Sequence, residues 1–151
     1  MYVAQLCART VATIRANDEI ITAAQVMRER HVGYLVVVGP ARTPGAWEPV
    51  GVLTDRDIVI GVVARGIKLD TVTVGDVMTA KPIVVCELDS VDVAVREMRR
   101  IGVRRMPVVD QQGELKGVLS LDDVLDATSS ELRDLAGAVR NAQRIEGTLR
   151  T

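Results

Sequence analysis

Two short segments of the chain carry residues spaced for chemistry. Gly51-Val52-Leu53-Thr54-Asp55-Arg56-Asp57 and Gly117-Val118-Leu119-Ser120-Leu121-Asp122-Asp123 share one pattern: glycine, two apolar residues, a hydroxyl, and an aspartate three positions further on. An apolar run that ends in Thr or Ser delivers a strand to a helix N-terminus, where unpaired N–H groups and the helix dipole favour an anionic group. One turn later, Asp57 or Asp123 projects on the side of that hydroxyl, and its carboxylate can accept from both hydroxyls of a ribose. The chemistry implied is recognition of a sugar and a phosphate. The same spacing also makes a self-sufficient helix cap that needs no ligand, so spacing alone leaves both readings open.

Little else in the chain points to catalysis. His31 is the only histidine and reads as a helix end rather than a base. Metalloprotease, nucleophile-elbow, P-loop and dinucleotide fingerprints are all missing. Asp55/Asp57 and Asp122/Asp123 sit where acidic residues stabilise helix starts anyway. No catalytic residue and no metal site are therefore expected, and the protein is read as a non-enzyme. Cys7 and Cys86 form no CxxC pair and read as small hydrophobes.

Composition narrows the partners. Among 151 residues, 19 Lys plus Arg face 20 Asp plus Glu, a net charge of −1 that disfavours nucleic acid. The longest apolar run, Ile58 to Ala64, is far short of the roughly 20 residues of a membrane span. A cytoplasmic protein is expected, without membrane partners. Apolar residues make up 48% and aromatics 2%, with no Phe. Such a β-branched aliphatic core suits strands covered by helices.

The elements that must position the two motifs come from an internal duplication. Shifting the sequence by 71 lays Val3 on Val74, Asp18 on Asp89, Ala23 on Ala94, Met27 on Met98 and Val37-Val38 on Val108-Val109. The offset then falls to 66, placing Gly51 on Gly117 and Asp57 on Asp123; the first copy carries a five-residue insertion within 39–50. Each copy reads β-α-β-β-α. A short strand (Val11 to Ile14, or Ile83 to Val85) precedes a helix capped by Asp18 or Asp89. Two strands follow, Leu35–Val38 and Val50–Leu53 or Met106–Val109 and Leu115–Leu119. A second helix then starts at Thr54 or Ser120. Copies of about sixty residues are marginal alone, so the two are expected to pack sheet to sheet and share a core. Beyond them, Thr128-Ser129-Ser130-Glu131 fits a capping box that opens a further helix with an apolar stripe of Leu132, Leu135, Ala136, Val139 and Ala142. That stripe covers either its own domain or a dimer contact.

With Val77-Met78-Thr79-Ala80-Lys81-Pro82-Ile83-Val84-Val85 leading into the second copy and Val103-Arg104-Arg105-Met106-Pro107-Val108-Val109-Asp110 as its central strand, residues 1–127 resemble a tandem cystathionine-β-synthase (CBS) domain pair, or Bateman module. The doubled Gly-x-x-Thr/Ser-x-x-Asp motif is the most specific part of the likeness, and together with the duplication it favours the ligand over the cap. The resemblance implies an α+β fold of two repeats related by a pseudo-two-fold axis, 1–66 and 67–127, with a C-terminal helical tail over 128–151. It implies regulatory binding of an adenosine nucleotide (AMP, ADP, ATP or NAD) in two clefts between the repeats, with no other cofactor. Cleft one joins Thr54 and Asp57 to Ile83, Val84, Arg104 and Arg105. Cleft two joins Ser120 and Asp123 to Ala12, Thr13, Gly33 and Tyr34. In nucleotide-binding members a basic pair ahead of the central strand meets the phosphate, and Arg104 and Arg105 stand in that place. Cleft one is therefore expected to be the better phosphate site. The resemblance further implies a homodimer, through Ile58–Val63 with its second-copy equivalent and the Ile20–Met27 helix, that signals to an effector protein. The other readings are a ligand-free interaction module and an S-adenosylmethionine sensor.

Overall fold

A computed structural model describes residues 1–150; Thr151, the last residue of the expected tail, lies outside the described residues. The fold is α+β, with two sheets and a long C-terminal helix. The first half contains β1 (Thr13–Arg15), α2 (Ile20–Arg30), β2 (Tyr34–Pro40), β3 (Trp47–Thr54) and α3 (Asp55–Ile58), which widens into a π-helical turn over Val59–Val63. The second contains β5 (Val85–Cys86), α5 (Val91–Ile101), β6 (Arg105–Val109), β7 (Leu115–Ser120) and α6 (Leu121–Leu149). In each half the central strand pairs in parallel with the first strand and antiparallel with the third. Leu35 to Val38 of β2 are all buried, the continuous apolar run of a strand covered on both faces. Register irregularities fall between Val37 and Val38 and between Val108 and Val109, the same place in both copies.

The halves exchange short segments. α1 (Val3–Leu6) buries Val3 among Val85, Met98, Met106 and Leu119 of the second half. Its counterpart α4 (Val74–Val77) buries Val74 among Ile14, Leu35, Leu53 and Ile58 of the first. After each turn the chain runs beside the motif strand: β4 (Thr79–Ala80) pairs with Gly51 and Val52, and Ala8 bridges Val118. This close approach accounts for the motif glycines. A Cβ on Gly51 would collide with Met78 Sδ, and one on Gly117 would lie 2.6 Å from the Ala8 carbonyl.

Three local expectations are corrected. Asp18 and Asp89 do not cap α2 and α5, whose N-caps are Glu19 and Ser90; their carboxylates instead accept from the N–H of Arg15 (2.9 Å) and Cys86 (3.0 Å), closing the turn before each helix. The halves keep two separate cores rather than one, because the exchanged Val3 and Val74 turns complete each half locally. No capping box forms at Thr128. α6 runs unbroken through it, with the Thr128 hydroxyl donating to the Val124 carbonyl at 2.8 Å. Extending an existing helix adds a hydrogen bond per residue, whereas a new one needs a fresh nucleus. His31 ends α2 in the left-handed region (φ 54°), as Gly102 ends α5 (φ 75°). Among the described residues no helix is long and apolar enough to cross a membrane.

Candidate ligand clefts

The two motifs sit where β3 and β7 pass into helices. The Thr54 hydroxyl accepts from Asp57 N–H at 3.1 Å, and Asp57 Oδ2 accepts from Thr54 N–H at 2.9 Å, a reciprocal cap. Ser120 likewise accepts from Asp123 N–H at 3.1 Å, but its hydroxyl donates to Asp123 Oδ2 at 2.6 Å. The capping function is thus present in both copies. Each carboxylate keeps one oxygen, Oδ1, outside its cap.

Sheet register builds a row across the molecule. Tyr34 lies opposite Thr54, and Arg105 lies opposite Ser120. The Arg105 guanidinium stands over the Tyr34 ring, 5.9 Å from its centroid, and so links the first sheet to the second. The Tyr34 hydroxyl is buried and has no hydrogen-bond partner among the described residues. Burial pushes the phenol well above its ordinary pKa, more than nearby Arg105 lowers it, so the group stays protonated.

On either side of this Arg105–Tyr34 contact lies a hollow. One, of about 310 Å³, is lined by Val52, Thr79, Lys81, Ile83 and Val103 together with Tyr34 and Arg105. The other, of about 220 Å³, is lined by Thr10, Ala12, His31, Gly33 and Val118 with the same Tyr34 and Arg105. The two are images under the duplication: Lys81 corresponds to Thr10, Ile83 to Ala12, Val103 to Val32, and Val52 to Val118.

The first hollow thus unites Ile83 with Arg105, and the second unites Ala12, Gly33 and Tyr34. The motif residues Thr54, Asp57, Ser120 and Asp123 line neither, and Asp57 faces a separate depression beside Arg56 and Arg65. Val84 lines neither of these hollows and is exposed. Arg104 points outward and pairs with Asp122 at 3.0 Å, its side chain 74% exposed. Thr13 lines a third hollow of about 680 Å³, where Arg15 stacks 4.6 Å from the Trp47 ring centroid and Lys116 faces Glu114. Basic charge is distributed differently from the sequence expectation. Arg105 borders both hollows, and the charge peculiar to the first is Lys81. The sequence expectation did not include Lys81, although its alignment with Thr10 ahead of the first strand was a usable signal.

The CBS domain pattern matches residues 3–63 and 74–130. An uncharacterised protein of Methanopyrus kandleri is 36% identical over 123 residues, which are 82% of this chain and 60% of that protein, so the chain spans less than two thirds of this relative. A CBS domain protein of Pyrobaculum aerophilum, solved in complex with AMP, is 32% identical with a TM-score of 0.72, over 82% of this chain and 89% of that one. A CBS domain pair solved with 5′-methylthioadenosine and S-adenosyl-L-methionine has the same fold, with a TM-score of 0.72 at 21% identity over 87% and 98% of the two chains.

Proposed function

Because the chain belongs to the CBS domain family, as a tandem pair of repeats, we propose that it is a non-catalytic sensor of an adenine nucleotide, AMP, ADP, ATP or NAD. The observation that carries this reading is the buried, unpartnered Tyr34 hydroxyl beside Arg105, between two symmetry-related hollows that adjoin the doubled motif. An unpaired buried donor is costly, and a ligand oxygen or ring nitrogen would satisfy it once the Tyr34 ring turns its hydroxyl toward a hollow. The AMP complex of the Pyrobaculum relative supports the choice of ligand.

In cleft one, Ile83 flanks the base and Arg105, Lys81 and Arg104 take the phosphate; Val84, Thr54 and Asp57 Oδ1, which do not line this hollow, meet the base and ribose where the ligand extends beyond it toward the motif. For Arg104 this means exchanging Asp122 for the phosphate, an exposed pair of little energetic weight. In cleft two, Ala12 and Gly33 flank the base and Arg105 with Tyr34 meets the phosphate; Thr13, Asp123 and Ser120, which do not line this hollow, meet the ligand where it extends beyond it. Lys81 and Arg104 make cleft one the tighter phosphate site. The units of the reading are the repeats 1–66 and 67–127 and the tail 128–151, in a cytoplasmic setting that suits the unpaired Cys7 and Cys86. A nucleotide between the halves biases their relative arrangement, and so the affinity for an effector protein, only as far as it binds one arrangement better. Homodimerisation brings a second pair into the assembly.

Thermal unfolding with and without each nucleotide tests this. Ligand at a hundredfold excess over its Kd stabilises by about 2.7 kcal/mol. AMP is expected to raise the midpoint, with the gain reduced more in Asp57→Ala than in Asp123→Ala. A gain with S-adenosylmethionine alone would replace the nucleotide reading with the adenosyl one. No gain with any ligand would leave the interaction module.

A further inference from the structure

We propose that the Tyr34 hydroxyl sets the two hollows in competition, so that a nucleotide in either one binds more weakly while the other is filled. This coupling rests on the nucleotide reading above and deepens it.

Tyr34 and Arg105 occupy equivalent positions of the two copies, and each borders both hollows. What they offer a ligand differs. A guanidinium carries several N–H donors in a fork, and one Arg105 can serve a phosphate on each side at once. A neutral phenol carries a single O–H. Burial keeps the Tyr34 phenol protonated, so that donor is present at neutral pH. Its oxygen is buried and bonds to nothing among the described residues, so no internal hydrogen bond commits the ring to one hollow or the other.

The first nucleotide to bind gains the hydroxyl as the ring turns toward it. A nucleotide in the other hollow still meets Arg105 but finds the O–H turned away. Lys81 gives the first hollow priority, so Tyr34 serves the second only while the first is empty. Linkage makes the weakening reciprocal, by one factor in both directions. That factor is expected to be at least about tenfold, the loss of one hydrogen bond to a charged group. Lys81 makes the hollows unequal whether or not both are filled; competition shows only when both are.

Filling one hollow at a time separates the two effects. Val103 lines the first hollow and its equivalent Val32 the second, each 37% exposed, so Val103→Trp and Val32→Trp each leave one open site on a fold that circular dichroism can check. Isothermal titration with AMP is the readout. Tyr34→Phe is expected to weaken AMP about tenfold in each blocked background, yet in the open chain to weaken the first step and leave the second unchanged. A response in only one blocked background would assign the hydroxyl to that hollow alone. Weakening of both steps in the open chain would mean that it is not contested. Either result would overturn the competition and leave the nucleotide reading standing, whereas no AMP binding to the unmodified chain would overturn both. One further measurement needs no blocked hollow. Without nucleotide, Tyr34→Phe loses an unpaired donor and is expected to unfold at the same or a higher urea concentration; a lower midpoint would show the hydroxyl already committed to a partner, and would overturn the competition.

Discussion

The two halves use nearly the same backbone and differ in what they present to the clefts. Positions that build the backbone match: Val3 and Val74, Ala23 and Ala94, Met27 and Met98, Leu53 and Leu119 occupy equivalent sites, all buried. Positions at and beside the hollows diverge. Gly33-Tyr34 stands against Arg104-Arg105, Thr10 against Lys81, and His31 against Gly102. Asp55 lies so close to Gly33 that a Cβ there would meet its carboxylate at 2.6 Å, whereas Leu121 holds the matching place in the second half. Duplication has kept the scaffold and made the two hollows unequal, with Arg105 and Tyr34 shared between them.

The strongest way to break that comparison is Arg105→Ala. Because this side chain borders both hollows, AMP affinity is expected to fall by more than about tenfold in each cleft, the loss of a charge-assisted phosphate contact. Lys81→Ala sharpens it, weakening the tighter site alone. Isothermal titration reads both; equal losses at the two sites in Lys81→Ala would remove the asymmetry.

A second contrast concerns the exchanged segments. Gly117→Ala drives a methyl into the Ala8 backbone and is expected to cost about 2–3 kcal/mol, near the upper end for overpacking. Gly51→Ala meets the flexible Met78 side chain and is expected to cost about 1 kcal/mol. Urea unfolding measures the difference, and equal costs would mean that the two crossings are packed alike.

The smallest expected contrast lies in the caps. Asp57→Ala leaves the Thr54 N–H without its acceptor and is expected to cost about 1–2 kcal/mol. Asp123→Ala removes the acceptor of a hydroxyl that can turn to water, and is expected to cost under about 1 kcal/mol. The same denaturation series resolves the two.

Much of this was legible in the sequence because the repeat sets two elements against each other. The α2 and α5 stripes, the β2 and β6 apolar runs and the Gly-to-Asp motifs carry strong periodic or compositional signals. The exchange of Val3 and Val74 was not, since a four-residue turn has no period and its partners lie in the other half. The continuity of α6 was hidden by a locally valid capping signature at Thr128, which propagation from Ser120 overrides. At the clefts, the residue types and the paired arrangement could be read, but the assignment of side chains to sides could not. Tyr34 and Arg105 meet only because the fold brings β2 of one sheet to β6 of the other, a proximity no spacing along the chain encodes.

Isothermal titration of AMP into the unmodified chain tests the central claim most directly. Two unequal binding steps per chain are expected, the tighter one weakened in Lys81→Ala and both weakened in Arg105→Ala. Two equal steps untouched by either substitution, or no heat at any concentration, would contradict the account.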